Sequence, residues 1–435
     1  MEFVVGVLIL FVGLLASIAL HEVGHLVPAK RFGVKVPQYM VGFGKTLWSR
    51  TVGDTEYGVK ALPLGGYVRM VGMYPPARRA ERPRRDGRPT LVQEARAAAL
   101  EEIGPGEEPR AFYNLTVPRK LVVMLGGPTM NLLISAVLLG VTVVTLGLGQ
   151  YTTTLGTVQQ CVVEDPAQEG CTPADPAGPG AAAGLLPGDQ ILTWDGAEAR
   201  TWEDVSGAIA DGDTGPVQVE VLRDSAPLTL TVVPELTERP VLGDDGAPLT
   251  EDGEAVTEMR PYVGIGPDFA LVRQSPAVVP GLVWQTFTGT VEVVLTLPQR
   301  LVSVAEAAFG TAERDPSVVG LVGVGRFAGE IASIDGQGYG VAERSADMLS
   351  LLVSLNMALF VFNLLPLLPL DGGHVAGALW EGARRKVARW REQPDPGPVD
   401  TARLLPLTYV VVAAMLGMSV LLAYADIVRP VSLTG

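Results

Sequence analysis

The chain has 435 residues and a formal net charge of -14 at pH 7. That length allows two or three folding units, and the acidic balance excludes a nucleic-acid binder that works through a basic footprint. Apolar residues gather in four stretches, Phe3 to Leu20, Leu121 to Leu148, Met348 to Leu370 and Leu404 to Tyr424. Each approaches the ~20 residues that cross a ~30 Å hydrocarbon layer, which predicts a polytopic α-helical membrane protein with four transmembrane helices.

The first span, 1–28, also has the length of a signal peptide, but it lacks a basic leading region and a small-residue cleavage site, so it reads as retained. Roughly half of all lysines and arginines lie between Lys30 and Lys120, and a second basic cluster runs from Arg384 to Arg403. Basic loops stay in the cytoplasm, so the segments after the first and third spans are expected inside. The acidic segment from Gln150 to Glu343 is then expected outside. From Phe32 to Met73, alternation with Gly and aromatic residues predicts paired strands with tight turns, a membrane-associated β-hairpin region over 29–75. The Pro-, Arg- and Glu-rich stretch that follows has no period and reads as a solvated linker with at most a short helix, 76–117. The second span covers 118–149.

Outside, 150–237 predicts a small α+β domain. Ala183 to Leu192 forms a strand entered from a Pro-Gly turn, and Trp202 to Ile209 a helix capped by Thr201 with Asp204 three residues on. Gln218 to Leu222 and Leu228 to Val232 alternate as a hairpin. Cys161 and Cys171, the only cysteines, are candidates for a disulfide in an oxidising compartment, with two free thiols as the alternative. Glu238 to Arg260 is read as an exposed acidic loop. Val278 to Phe309 is read as helices on the membrane surface rather than a fifth span, within a segment 238–346. The third span, 347–376, a cytoplasmic loop, 377–402, and the fourth span, 403–427, complete the expected order.

The first span ends in His21-Glu22-Val23-Gly24-His25. Positions four apart share a helix face, so both imidazoles can reach one metal with Glu22 beside them to take a proton from water. Three ionisable groups at the end of a span are costly and usually functional. A third ligand is available far along the chain, at the end of the third span, in Asn363-Leu-Leu-Pro-Leu-Leu-Pro-Leu-Asp-Gly-Gly-His374. With inward basic loops after spans one and three, His25 and Asp371 both fall at cytoplasmic ends. Asp371 is the natural oxygen ligand, leaving a fourth position for water. His374 is the rival ligand or a partner behind the ligands.

At these residues the chain resembles the site-2 protease family of intramembrane zinc metalloproteases, peptidase family M50, in its bacterial PDZ-containing branch. His21, Glu22 and His25 match the family's His-Glu-x-x-His, and Leu370-Asp371-Gly372 its Leu-Asp-Gly. Gly127-Pro-Thr-Met-Asn131 is similar to Gly-Pro-x-x-Asn, Asn363-Leu-Leu-Pro366 to Asn-x-x-Pro, and Pro63 to Val68 to the family's membrane-associated hairpin. Ala183-Gly-Leu-Leu-Pro-Gly-Asp-Gln-Ile resembles the PDZ signature. Two departures stand out: there is room for one PDZ domain where related architectures often carry two, and Leu321 stands where a Gly-Pro-Val-Gly stretch has proline.

The resemblance implies one Zn(2+) per chain, held by His21, His25 and Asp371, with Glu22 as general base in regulated intramembrane proteolysis. It also implies a bacterial inner (plasma) membrane location with the active site near the cytoplasmic side and the PDZ domain outside. The expected partners are the lipid bilayer, a peptide ligand of the PDZ domain, and single-span membrane protein substrates such as anti-sigma factors or remnant signal peptides, with no nucleic acid. A helical substrate must be unwound before attack. Gly42, Gly65 and Gly66 in the hairpin could hold it as an added strand, and Asn363 could bond to its backbone. Asn131 is either an interhelical bond or a partner behind the ligands. A competing class, a non-catalytic PDZ membrane scaffold or a zinc transporter, uses the same histidines without needing Glu22.

Overall fold

A computed structural model describes the chain except residues 78–87, 163–169, 173–174, 242–248, 252–253, 311–313, 316–317, 336–338 and 434–435. The chain divides into two compact units, Met1–Leu146 with Gln274–Gly435, and Gly147–Arg273.

The first unit opens with α1 (Glu2–Arg31), then β1 (Gln38–Val52) and β2 (Thr55–Arg69), α2 (Leu91–Glu101) and α3 (Val117–Val141). β1 and β2 turn tightly at Gly53, whose φ is +62. β2 then folds around β1, so that Tyr39 pairs with both Tyr57 and Val68, and Val41 with both Val59 and Gly66. The returning segment Gly66–Arg69 thereby flanks the start of β1. Tyr39 donates its hydroxyl to the Ala19 carbonyl of α1 at 2.8 Å, which fastens the hairpin beside the end of the first helix. Among its described residues the linker contains one α-helix, α2, held at its Thr90 end by a reciprocal Thr90–Gln93 box.

The second unit contains β3 (Leu148–Val158), α4 (Pro179–Ala182), β4 (Gln190–Trp194), β5 (Ala197–Glu198), α5 (Trp202–Ala210), β6 (Val217–Arg223) and β7 (Ala226–Val232). It continues through β8 (Glu235–Pro240), β9 (Thr250–Glu251), β10 (Glu254–Ala255), β11 (Thr257–Tyr262) and β12 (Ile265–Val272). An antiparallel sheet in the order β12-β3-β4-β6-β7 covers a core of Leu155, Leu185, Ile191, Trp194, Val205, Val219 and Val221. The expected cap is present: Thr201 and Asp204 form a capping box at α5. Cys161 and Cys171 are disulfide-bonded. The acidic stretch read as a loop is instead largely paired strand, with β8 against β11 in register from Thr257–Pro240 to Tyr262–Glu235. Most of β11 and much of β8 are exposed, so neither carries the apolar alternation that marks a half-buried strand. The unit therefore runs on to Arg273 rather than ending at residue 237.

The chain returns to the first unit with α6 (Val279–Phe309), α7 (Leu321–Ser333), α8 (Val341–Asn363), α9 (Asp371–Trp390) and α10 (Leu405–Val428). Asn356 of α8 donates to Ser17 of α1 at 3.0 Å and Ser135 of α3 to the Val353 carbonyl at 3.0 Å, so α1, α3 and α8 meet through a buried polar layer. The third span was expected to continue to residue 376. It stops at Asn363, because neither Pro366 nor Pro369 can donate to the preceding helical turn and each biases the residue before it away from helix. A new helix begins at Asp371.

Five helices among the described residues are long and apolar enough to cross a membrane, one more than expected, the additional one being 276–309. The surface helices expected there form one helix of 31 residues, about 46 Å long. Its start packs on Gly140, beyond Ser135 and away from the histidines. Its end packs on Leu422 and Ala425 of α10. Asp426, one residue further, accepts from the Gly323 N–H of α7, and α7 in turn packs on Gly6 near the start of α1. Both ends of α6 are thus attached at the end of the bundle remote from His25.

Candidate metal centre

A helix places residues four apart on one face, and α1 does so with His21 and His25, whose Nε2 atoms stand 3.2 Å apart. Gly24 makes room for this face. A Cβ added there would lie 2.3 Å from the Gly126 carbonyl oxygen, so α1 and α3 touch backbone to backbone, the close approach that small residues permit in membrane helix pairs. Asp371, first residue of α9, completes the set: its Oδ2 lies 3.4 Å from His21 Nε2 and 3.2 Å from His25 Nε2. These three residues are the group that could hold a metal ion among the described residues.

Their fit to a metal can be judged from the atoms themselves. Ligands ~2.0–2.1 Å from a common centre at tetrahedral angles are about 3.3–3.4 Å apart, which matches the three separations. Asp371 Oδ2 is buried and has no hydrogen-bond partner, although two imidazole nitrogens face it. Three lone pairs pointed at one another repel unless a cation stands between them. Gly127 keeps the space open, since a Cβ there would fall 2.1 Å from His25 Nε2 and 2.7 Å from His21 Nε2.

Helix α3 also orients both imidazoles from behind. His25 Nδ1 lies 2.8 Å from the Val123 carbonyl, which can only accept, so the proton is on Nδ1 and Nε2 presents its lone pair. Asn131 Nδ2 lies 3.1 Å from His21 Nδ1, while its Oδ1 is buried without a partner. Turning the amide over lets Oδ1 accept from His21 Nδ1 and satisfies both groups.

A cavity of about 310 Å³ opens on the three ligands. Glu22 lines it, and the Val68 N–H of the returning strand donates to its carboxylate. Gly66 is the closest part of that strand, for a Cβ there would stand 2.9 Å from Glu22 Cγ. Asn363 also lines the cavity, its Nδ2 donating to the Leu359 carbonyl of its own helix at 3.0 Å. His374 lines the wall as well, outside the three-residue group. Gly42 and Gly65 do not line it. Gly42, at φ +94, lets β1 pass the Lys60 and Leu62 carbonyls, and Gly65, at φ +145, sits against Phe43.

Tyr67 and Pro369 complete the wall with Met70, Met73 and Met124, and the three methionines were not singled out from the sequence. Their residue types carry no chemical signal at this spacing. Val123 was equally invisible, because it acts through its carbonyl.

The chain matches Peptidase family M50 over residues 9–393. It is similar to Zinc metalloprotease Rip1 of Mycobacterium bovis, 33% identical over 446 residues that cover 100% of both chains. Rip1 of Mycolicibacterium smegmatis is 33% identical over 448 residues with the same coverage. Metalloprotease MmpA of Caulobacter vibrioides is 27% identical over 401 residues, covering 88% of this chain and 89% of that one.

Proposed function

The chain belongs to peptidase family M50 and is a zinc metalloendopeptidase with several apolar helices; we propose that it hydrolyses peptide bonds inside the transmembrane segments of single-span membrane proteins. The observation that carries this reading is the approach of Asp371 Oδ2 to within 3.2–3.4 Å of two imidazole Nε2 atoms on a different, apolar helix.

His21, His25 and Asp371 hold the zinc. When bound, zinc polarises a scissile carbonyl and makes water ionisable near neutral pH. Glu22 takes the proton of the attacking water and delivers it to the departing amide nitrogen. The carboxylate is aimed by the Val68 N–H, and Gly66 lets the strand approach it closely. The Gly66–Arg69 segment pairs with β1 along one edge. Its other edge receives an unwound substrate strand and pairs with amides that would otherwise be orphaned at membrane depth. Asn363 releases its bond to Leu359 and binds the same substrate backbone.

Four helices, α1, α3, α8 and α10, cross the membrane, while α6 dips between them far enough for its Phe287 ring to reach Phe360 of α8 at 5.9 Å and returns to the outer end; the attachment of both α6 termini remote from His25 supports this count. The metal lies toward the cytoplasmic side, consistent with the basic loops. The sheet and capped helix of the second unit form a PDZ domain outside the cell, where the disulfide fits an oxidising compartment. It filters substrates such as anti-sigma factors or remnant signal peptides.

The experiment is Glu22→Gln, co-expressed with a tagged single-span substrate. Cleavage is expected to disappear while zinc content and protein level hold. Undiminished cleavage would refute the assignment of Glu22.

A further inference from the structure

Two cavities that play no part in the metal site meet between α9 and α10. The first is an apolar cleft of about 240 Å³ walled by Leu367, Leu368, Ala376, Trp380, Leu404 and Leu407. The second, about 340 Å³, is edged by Arg384 and Arg403 with Pro75, Pro76 and Pro396. Val399 lines both, so the apolar cleft and the basic mouth share a wall.

Their position relative to a bilayer follows from the sequence of α10. Arg403 is the last charged residue before the uncharged run Leu404 to Tyr424, so the boundary of the hydrocarbon layer falls near it. The cleft lies on the apolar side of that boundary and the mouth on the aqueous side. Trp380 and Trp390 stand exposed on α9, the aromatic residue favoured at headgroup level. Arg384, Arg385, Lys386, Arg389 and Arg391 accompany them, a density of cations that attracts an anionic leaflet.

We propose that this composite groove binds one anionic phospholipid, an acyl chain in the cleft and the phosphate between Arg384 and Arg403. Arg384 keeps donors to spare, for among the described residues only its Nη2 is engaged, on the Pro396 carbonyl at 2.9 Å. Arg403 bonds Asp400 through Nε at 3.1 Å, and Asp400 is itself bonded to the buried Arg96 at 2.7 Å. The mouth therefore carries net positive charge even with Asp400 present. A neutral zwitterionic lipid gains less there, because its own cation meets the same guanidinium groups.

The site has a consequence for the metal. Leu367 and Leu368 belong to the loop that leads into Asp371, and Gly373 and Ala376 belong to the helix that Asp371 starts. A lipid chain filling the cleft buttresses both. This regulatory part rests on the proteolytic reading above; the binding part does not.

The test uses the full-length protein in vesicles of pure phosphatidylcholine or of phosphatidylcholine with about one-third phosphatidylglycerol, the anionic surface to which basic groups respond. Lipid that stays with the protein after detergent extraction is counted by native mass spectrometry, with zinc measured alongside. Wild type is expected to retain one phosphatidylglycerol. Arg384→Gln with Arg403→Gln, which removes both cations that edge the mouth, and Leu407→Trp, which fills the cleft, should each retain at least tenfold less and keep their zinc. Substrate cleavage by wild type should rise several-fold with phosphatidylglycerol, and cleavage by the variants should not. Three results overturn the site: retention of phosphatidylcholine as readily as phosphatidylglycerol, equal retention by wild type and both variants, or displacement of the lipid by water-soluble glycerophosphoglycerol. Specific retention without any change in cleavage overturns the regulatory part alone.

Discussion

Replacing Gly127 with Ala separates metal binding from folding with one methyl group. The added Cβ would lie 2.1 Å from His25 Nε2 and 2.7 Å from His21 Nε2. Ordinary contact begins near 3.4 Å, so one imidazole must retreat by about 1.3 Å, a gap that no dispersion gain offsets. Metal–ligand distances tolerate only about ±0.2 Å. Loss of a supporting partner already costs 10–100-fold in metal affinity; displacing a ligand should reach at least about 100-fold, roughly 2.7 kcal/mol. Folding moves the other way, because Ala is favoured over Gly by ~1 kcal/mol in a helix interior. Zinc affinity measured by chelator competition should fall while the thermal midpoint of the metal-free protein holds or rises. Gly417→Ala is the control, since its added Cβ meets nothing within 4 Å. A Gly127→Ala protein with wild-type zinc affinity would refute the reading of the site.

Three further outcomes are expected. Asn131→Asp should keep most zinc affinity, because a carboxylate still accepts from His21 Nδ1, whereas Asn131→Leu should lose about 10–100-fold; equal affinities would show that Asn131 only bridges helices. Lys120 bonds Glu381 at 3.0 and 2.8 Å with both side chains buried, and the carboxylate also meets Arg385 at 3.2 Å and the Val399 N–H at 3.1 Å, so Lys120→Met removes one of several partners and should cost about 1–3 kcal/mol; denaturant unfolding reads it, and an unchanged midpoint would refute the pairing. In the second unit, burial raises the Asp189 carboxyl, but the Arg223 guanidinium at 2.6 Å and the Leu186 N–H outweigh it and hold its pKa below the usual range. The stability this supplies is complete above the unfolded value of ~3.9 and is lost as pH falls through the lower folded value. Hydrogen exchange of the full chain should show the second unit loosening in that window, and Asp189→Asn should remove the dependence.

What could be read from the chain beforehand followed side-chain chemistry at helical spacing. His21, Glu22 and His25 announce themselves through a four-residue repeat, and Asp371 through its place at the end of a distant apolar run. The break between α8 and α9 was foreshadowed by Pro366 and Pro369, although helix ends are set by the whole turn and the new start at Asp371 was not. Backbone groups left no such mark. The Val123 carbonyl and the Gly24–Gly126 contact arise only once two helices are packed. Strands β8 and β11 escaped because the stretch that holds them is acidic and rich in Gly and Pro, and α6 is one continuous helix although Pro298 sits inside it. The double pairing of β1 with two parts of β2 likewise depends on a fold-back that no period encodes.

One zinc ion is expected to join the first helix to the helix that Asp371 begins. Anomalous diffraction at the zinc edge, on crystals of the full-length protein, tests it directly. A single peak is expected within about 2.0–2.2 Å of His21 Nε2, His25 Nε2 and an Asp371 carboxylate oxygen. A zinc peak bound to the two imidazoles but beyond bonding distance of Asp371, or a stoichiometric peak elsewhere in the chain, would contradict it.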